Sequence, residues 1–189
     1  MGAKKQKMKT WAMLLAGSGL LLLGVISGVW LSGNPSGAPL GGQEYSVVPQ
    51  QVEFKAPDLA LSDLRGQAVS ISALKGQVVL INNWATWCPP CKAEMPTLQA
   101  FYDLHKDEGF VLVGIDAGDP PTDVSSFVSQ YELTFPVWLD PQSRSLAAFK
   151  NDALPSSYVI DTQGVVRLAW TGAISQRMLE KYVTPLLED

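Results

Sequence analysis

The chain has 189 residues, 47% of them apolar, which is enough to bury a core and argues against disorder. Its formal charge of −4 is unevenly spread. Setting aside Lys4, Lys5, Lys7 and Lys9 leaves 10 of the 14 Lys and Arg against 18 Asp and Glu, or −8 for the remainder. Such a surface repels phosphate backbones, so nucleic acid is not an expected partner. The two cysteines stand three residues apart. A bridge closing so short a loop constrains little of the unfolded chain, so chemistry explains the pair better than stability does.

Residues 1–10 form a basic start. Trp11 to Leu31, WAMLLAGSGLLLLGVISGVWL, is apolar or small almost throughout. As a helix it would reach roughly 31 Å, close to the hydrocarbon thickness of a bilayer. Trp11 and Trp30 would lie near its two interfaces. Lysines before the span predict a cytoplasmic N-terminus, a single-pass anchor in the cell membrane and an extracytoplasmic C-terminal domain. A cleaved signal peptide is the alternative, but the apolar run exceeds the ~7–15 residues usual for one. Residues 32–51, rich in Gly, Pro and Ser, read as a tether with an r.m.s. reach of about 25 Å.

The folded domain is expected over 52–189. Leu59–Leu61 and Ala68–Ile71 flank a turn-rich segment and predict a hairpin. A short helical turn at 72–76 comes next, stopped by Gly76. Gln77–Asn83 is apolar enough for a buried strand. A helix is expected over Pro90–Lys106, with Met95, Leu98, Phe101, Tyr102 and His105 on its inner stripe. Then follow a strand at Phe110–Asp116, a helix at Pro120–Leu133, a strand at Phe135–Leu139 and a helix at Ser143–Phe149. Strands at Ser156–Ile160 and Val165–Trp170 join through Asp161-Thr-Gln-Gly164, and a helix at Ser175–Leu187 closes the chain. This order predicts an α/β three-layer sandwich with a mixed sheet.

Trp87-Cys88-Pro89-Pro90-Cys91 falls where a strand hands over to a helix. Unpaired N–H groups and the helix dipole stabilise a thiolate there, and thiolate is the nucleophile in disulfide exchange. Cys88 is at the outer end; Cys91, one turn in, is placed to resolve a mixed disulfide. Neither Pro89 nor Pro90 has an N–H, which leaves the Cys91 amide as the donor to the Cys88 sulfur. Weaker thiolate stabilisation implies a reducing or near-neutral site. Half a zinc site would need ligands the chain lacks nearby, since His105 is some four turns along the same helix. Haem attachment requires His after the second Cys, where this chain has Lys92. Asp116 and Asp119 admit a metal site, though a loop of solvated charges is the simpler reading.

The segment Val79-Leu-Ile-Asn-Asn-Trp-Ala-Thr-Trp-Cys-Pro-Pro-Cys-Lys-Ala-Glu-Met-Pro96 resembles the TlpA/ResA group of the thioredoxin superfamily. The likeness extends through Phe135-Pro-Val-Trp-Leu-Asp140, Leu154-Pro155-Ser-Ser-Tyr-Val-Ile-Asp161 and Gly164. It implies a thioredoxin-like fold and a thiol–disulfide oxidoreductase in which Cys88 and Cys91 form the redox-active disulfide. It further implies that Glu94 helps deprotonate Cys91 or tunes both thiols. Pro155 would follow a cis bond and, with Leu154 and Trp87, shape the surface that takes substrate. No cofactor and no metal are implied. The expected partners are protein disulfides or thiols, apocytochrome c among them, and a membrane thiol electron donor. Two departures stand out: Asn82 replaces the buried aspartate of thioredoxin, and Asn83 stands where an aromatic residue is usual. Two other readings remain open. One is a thiol peroxidase of the same fold, for which the Pro-x-x-x-Thr-x-x-Cys arrangement is missing. The other is a non-catalytic tethered binding module.

Overall fold

A computed structural model of the chain describes residues 46–188. The expected membrane span at 11–31 lies outside the described residues. Among those described, no helix is long and apolar enough to cross a membrane.

Eight strands form one mixed sheet: β1 (Gln50–Lys55), β2 (Ala60–Asp63), β3 (Ala68–Ser70), β4 (Val78–Trp84), β5 (Phe110–Asp116), β6 (Val137–Leu139), β7 (Ser156–Ile160) and β8 (Val165–Thr171). Their order across the sheet is β1-β8-β7-β4-β5-β6-β2-β3. β4, β5 and β6 run parallel, and every other pairing is antiparallel. The helices are α1 (Pro89–His105), α2 (Pro121–Gln130), α3 (Arg144–Phe149) and α4 (Gln176–Tyr182), with 3-10 turns at Ile71–Leu74 and Thr184–Leu186.

β4 is buried along its whole length because neighbours flank it on both edges and helices cover both faces. The two-residue period of a strand then sorts its side chains. Val78, Leu80 and Trp84 join Leu98 and Phe101 of α1, Phe127 of α2 and Leu179 of α4. Val79 and Ile81 face the other way, towards Val113, Phe149 and Tyr158. Aromatic contacts knit the first layer: Trp84 lies 4.6 Å from Phe127, and Phe101 meets Phe110 edge-on at 5.3 Å. Gly114 makes room for this. A Cβ there would come within 3.0 Å of both the Trp84 indole nitrogen and the Phe135 ring.

The predicted hairpin is present, with Ala60 opposite Ser70 and Leu61 opposite Val69. Several boundaries differ from expectation, and three of them have a plain physical reason. The second helix ends at Gln130 rather than near Leu133, because Glu132 adopts φ 52 and the Leu133 N–H returns to the Val128 carbonyl, a left-handed C-terminal stop. The final helix breaks after Tyr182 into a 3-10 turn around Pro185, whose ring has no N–H to continue the ladder. Ordered structure also reaches upstream of Val52, into the expected 32–51 tether. β1 begins at Gln50, the Val47 N–H donates to the Ala173 carbonyl (3.3 Å), and the Ser175 N–H donates to Ser46 Oγ (2.9 Å).

Candidate active site at the junction of β4 and α1

Strand register builds the site. At the C-terminal end of β4, Trp84 pairs with Asp116 of β5, and Asn83 pairs with Ser156 of β7. The loop Ala85–Cys88, the segment after Asp116 and the Leu154–Pro155 bond therefore share one edge of the sheet. The Leu154–Pro155 peptide is cis, as the family resemblance implies. The Pro155 carbonyl accepts from the Gly172 N–H (2.8 Å), whereas the Leu154 N–H and C=O have no backbone partner among the described residues.

Cys88 and Cys91 are joined by a disulfide, with Cα atoms 5.3 Å apart. Cys88 is the N-cap of α1, and Pro89 and Pro90 fill its first two positions. An N-cap side chain accepts from the second or third helical N–H. Pro90 removes the second, so the Cys91 N–H donates alone to Cys88 Sγ, at 3.3 Å. Cys88 keeps 3% of its surface exposed and Cys91 none. Trp87 is 66% exposed, which rules out a core role for its indole.

Glu94 is not a solvated helix residue; it is 1% exposed. Three residues beyond Cys91, it lies on the same face of α1. Its Oε1 accepts from Asn82 Nδ2 (2.8 Å), and its Oε2 accepts from the Ile174 N–H (3.1 Å). Asn82 Nδ2 also donates to Ser157 Oγ (3.0 Å). Burial outweighs these two hydrogen bonds and pushes the Glu94 carboxyl up to about 7. A buried acid thus sits on the helix, and Asn82 on the strand serves as its donor. Asn83 points the opposite way. It accepts from the Ser145 hydroxyl and donates to Ser156 Oγ (3.2 Å), tying α3 to the sheet.

The expected loop of solvated acids is corrected at Asp116, which is 1% exposed, and burial pushes its carboxyl up to about 7. Its Oδ1 accepts from the Asp119 N–H (2.8 Å), and Asp119 Oδ2 accepts from the Thr86 N–H (2.6 Å). No cluster of three metal-ligating side chains exists among the described residues. His105 is mostly buried between Phe101 and Phe110, its Nδ1 2.6 Å from Glu108 Oε2.

The roles of Asn82, Asp119 and the Ile174 amide were missed from sequence. One signal was available for Asp119. Parallel neighbouring strands end at the same edge, so the residues just after β5 had to lie beside the cysteines.

Known proteins resemble this chain in sequence and fold. Residues 52–169 match the AhpC/TSA family. The thiol–disulfide oxidoreductase ResA of Geobacillus kaustophilus is 34% identical over 128 residues, 68% of this chain and 74% of that one. The ResA of Bacillus cereus is 35% identical over 133 residues, 70% and 77% of the two chains. Among solved structures, a putative thiol:disulfide interchange protein DsbE from Chlorobium tepidum superposes with a TM-score of 0.68 at 29% identity, covering 73% of this chain and 98% of that one. A thioredoxin-like sheet, a bridged Cys-Pro-Pro-Cys at a helix start and these relatives together make the chain a member of the AhpC/TSA family and, within it, a thiol–disulfide oxidoreductase of the ResA type.

Proposed function

We propose that this oxidoreductase works as a reductase of protein disulfides outside the cytoplasm, held at the membrane by the segment 11–31. The observation that carries the reducing direction is the single N–H, that of Cys91, donating to Cys88 Sγ. A thiolate with one amide donor instead of two is less stabilised, so the dithiol gives up electrons more readily.

The Cys88 thiolate attacks a substrate disulfide, forming a mixed disulfide and expelling one substrate thiolate. Cys91, deprotonated, then attacks Cys88 Sγ. The second substrate thiol leaves, and the Cys88–Cys91 bridge forms. Two electrons pass to the substrate, and a membrane dithiol carrier restores the reduced pair. Glu94, with an affinity for protons matched to neutral pH, takes the proton from Cys91. Exposed Trp87 and the unpaired backbone of Leu154, beside cis Pro155, offer an extended substrate segment a surface and strand-like hydrogen bonds. A Cys-x-x-Cys disulfide in an apocytochrome c fits this requirement.

The test is reduction of insulin by the full-length chain with dithiothreitol. Activity that disappears in Cys88→Ser is the expected result; undiminished activity in that variant would refute the proposal. Mixed disulfides trapped on Cys88 in Cys91→Ser would identify the natural substrates.

A further inference from the structure

The loop Ala85–Cys88 is a turn, closed by the Cys88 N–H donating to the Ala85 carbonyl at 3.2 Å. Thr86 and Trp87 are its central residues. The N–H of the first central residue of such a turn points outward and finds no partner within it. Here that N–H belongs to Thr86, and it donates to Asp119 Oδ2 at 2.6 Å. Asp119 is itself held. Its own N–H donates to Asp116 Oδ1 (2.8 Å), and the Ala117 N–H donates to the Trp84 carbonyl (2.9 Å). Gly118, at φ +111, provides the bend that turns Asp119 back towards Thr86. The segment leaving β5 is therefore bonded to the segment leaving β4 at two points, one on each side of Ala85.

What this fastening holds is the exposed Trp87 and, next to it, the capping sulfur of Cys88. We propose that Asp119 is a positioning residue of the exchange reaction: by accepting from the Thr86 amide it fixes the turn that presents Trp87 and Cys88 to a protein substrate. The role needs an acceptor at Asp119, not a charge. It matters most for large substrates, which must meet the indole and the sulfur together. A small disulfide needs the sulfur alone. The inference rests on Cys88 being the nucleophile of a disulfide reductase.

Asp119→Ala, Asp119→Asn and Thr86→Pro are compared in the full-length chain for insulin reduction and for reduction of a small aromatic disulfide. Losing a hydrogen bond to a charged acceptor raises KM for insulin roughly tenfold in Asp119→Ala and leaves the small-disulfide rate within about twofold. Asp119→Asn, which keeps an oxygen acceptor, restores KM to within about threefold of wild type. Thr86→Pro removes the donor at a turn position that proline favours. It reproduces Asp119→Ala, and the double variant is no worse than either single one. Equal losses on both substrates, an unchanged KM in Asp119→Ala, an Asp119→Asn as impaired as Asp119→Ala, or additive effects in the double variant would overturn the assignment. Should Asp119→Ala not fold, Thr86→Pro alone decides through the same contrast between substrates. A wild type unable to reduce insulin, or an active Cys88→Ser, sinks the reductase proposal instead and is told apart by that control.

Discussion

Asn82 of β4 hands its side-chain N–H to the carboxyl of Glu94 on α1, 2.8 Å away and shut off from solvent. An amide on the strand and an acid on the helix together occupy the interior behind the cysteines. The buried acid comes from α1, and the strand contributes the group that orients it.

Glu94 makes stability depend on pH. Its carboxyl has an ordinary value of 4.5 and is pushed up to about 7 by burial. The folded chain thus keeps a proton that the unfolded chain releases between these limits. The stabilisation is complete below pH 4.5 and is lost as pH rises through about 7, amounting to about 3 kcal/mol in all. Urea unfolding across this range should show the decline in wild type. Glu94→Gln, which cannot titrate, should remove the Glu94 share of the decline and leave that of Asp116, whose carboxyl burial also pushes up to about 7.

Asn82→Asp tests the same contact from the other side. It places a second carboxyl against Glu94, and no cation among the described residues acts on that site. One of the two must then stay protonated, and ionising both costs about 3 kcal/mol. The variant should match wild type most closely near pH 5 and lose stability steeply above pH 7, as read by thermal unfolding at the two pH values. An unchanged unfolding temperature at pH 8 would mean that the two groups do not meet.

Pro90 leaves the Cys91 N–H as the one helical amide donating to Cys88 Sγ. Pro90→Ala restores the second helical N–H, adding one amide donor to the thiolate cap. The Cys88 pKa should fall, and the reduction potential should move towards a better oxidant. Pro89→Ala restores an N–H at the first helical position, which caps do not use, and should shift Cys88 far less. Thiolate absorbance titrations of the two variants separate these outcomes. Equal shifts would contradict the single-donor picture.

The sequence disclosed most of the fold because its signals are local. Phe110–Asp116 and Ser156–Ile160 are short runs buried at every position but Val111, and their ends match the observed strands. Asp161 to Gly164 has the composition of the turn it forms. The helix ends at Gln130 and Tyr182 were harder to read. One rests on a left-handed Glu132, a conformation that residue type does not announce; the other rests on Pro185, whose effect the apolar spacing of Leu179, Tyr182, Val183 and Leu186 masked. β1 was hidden because Gln50–Lys55 is a short, mostly exposed edge strand with only two apolar residues, Val52 and Phe54.

At the site the cysteines, Pro155 and Glu94 could be named from sequence because spacing and the family likeness point to them. Their supports could not. Asn82 and Ser157 meet only through the pairing of β4 with β7, and Ile174 reaches Glu94 from 80 residues further along the chain. Buried Asp116 reads as a surface acid until β4 and β5 are seen to end side by side.

Competitive alkylation of the fully reduced, full-length chain, followed by peptide mass mapping, puts the roles of the two thiols to the most direct test. Cys88, the helix cap and the less buried of the two, should be modified first and roughly tenfold or more faster than Cys91, and unmodified chains should close the Cys88–Cys91 bridge on reoxidation. Equal labelling, earlier labelling of Cys91, or failure of the bridge to re-form would contradict the assignment of Cys88 as attacking and Cys91 as resolving thiol.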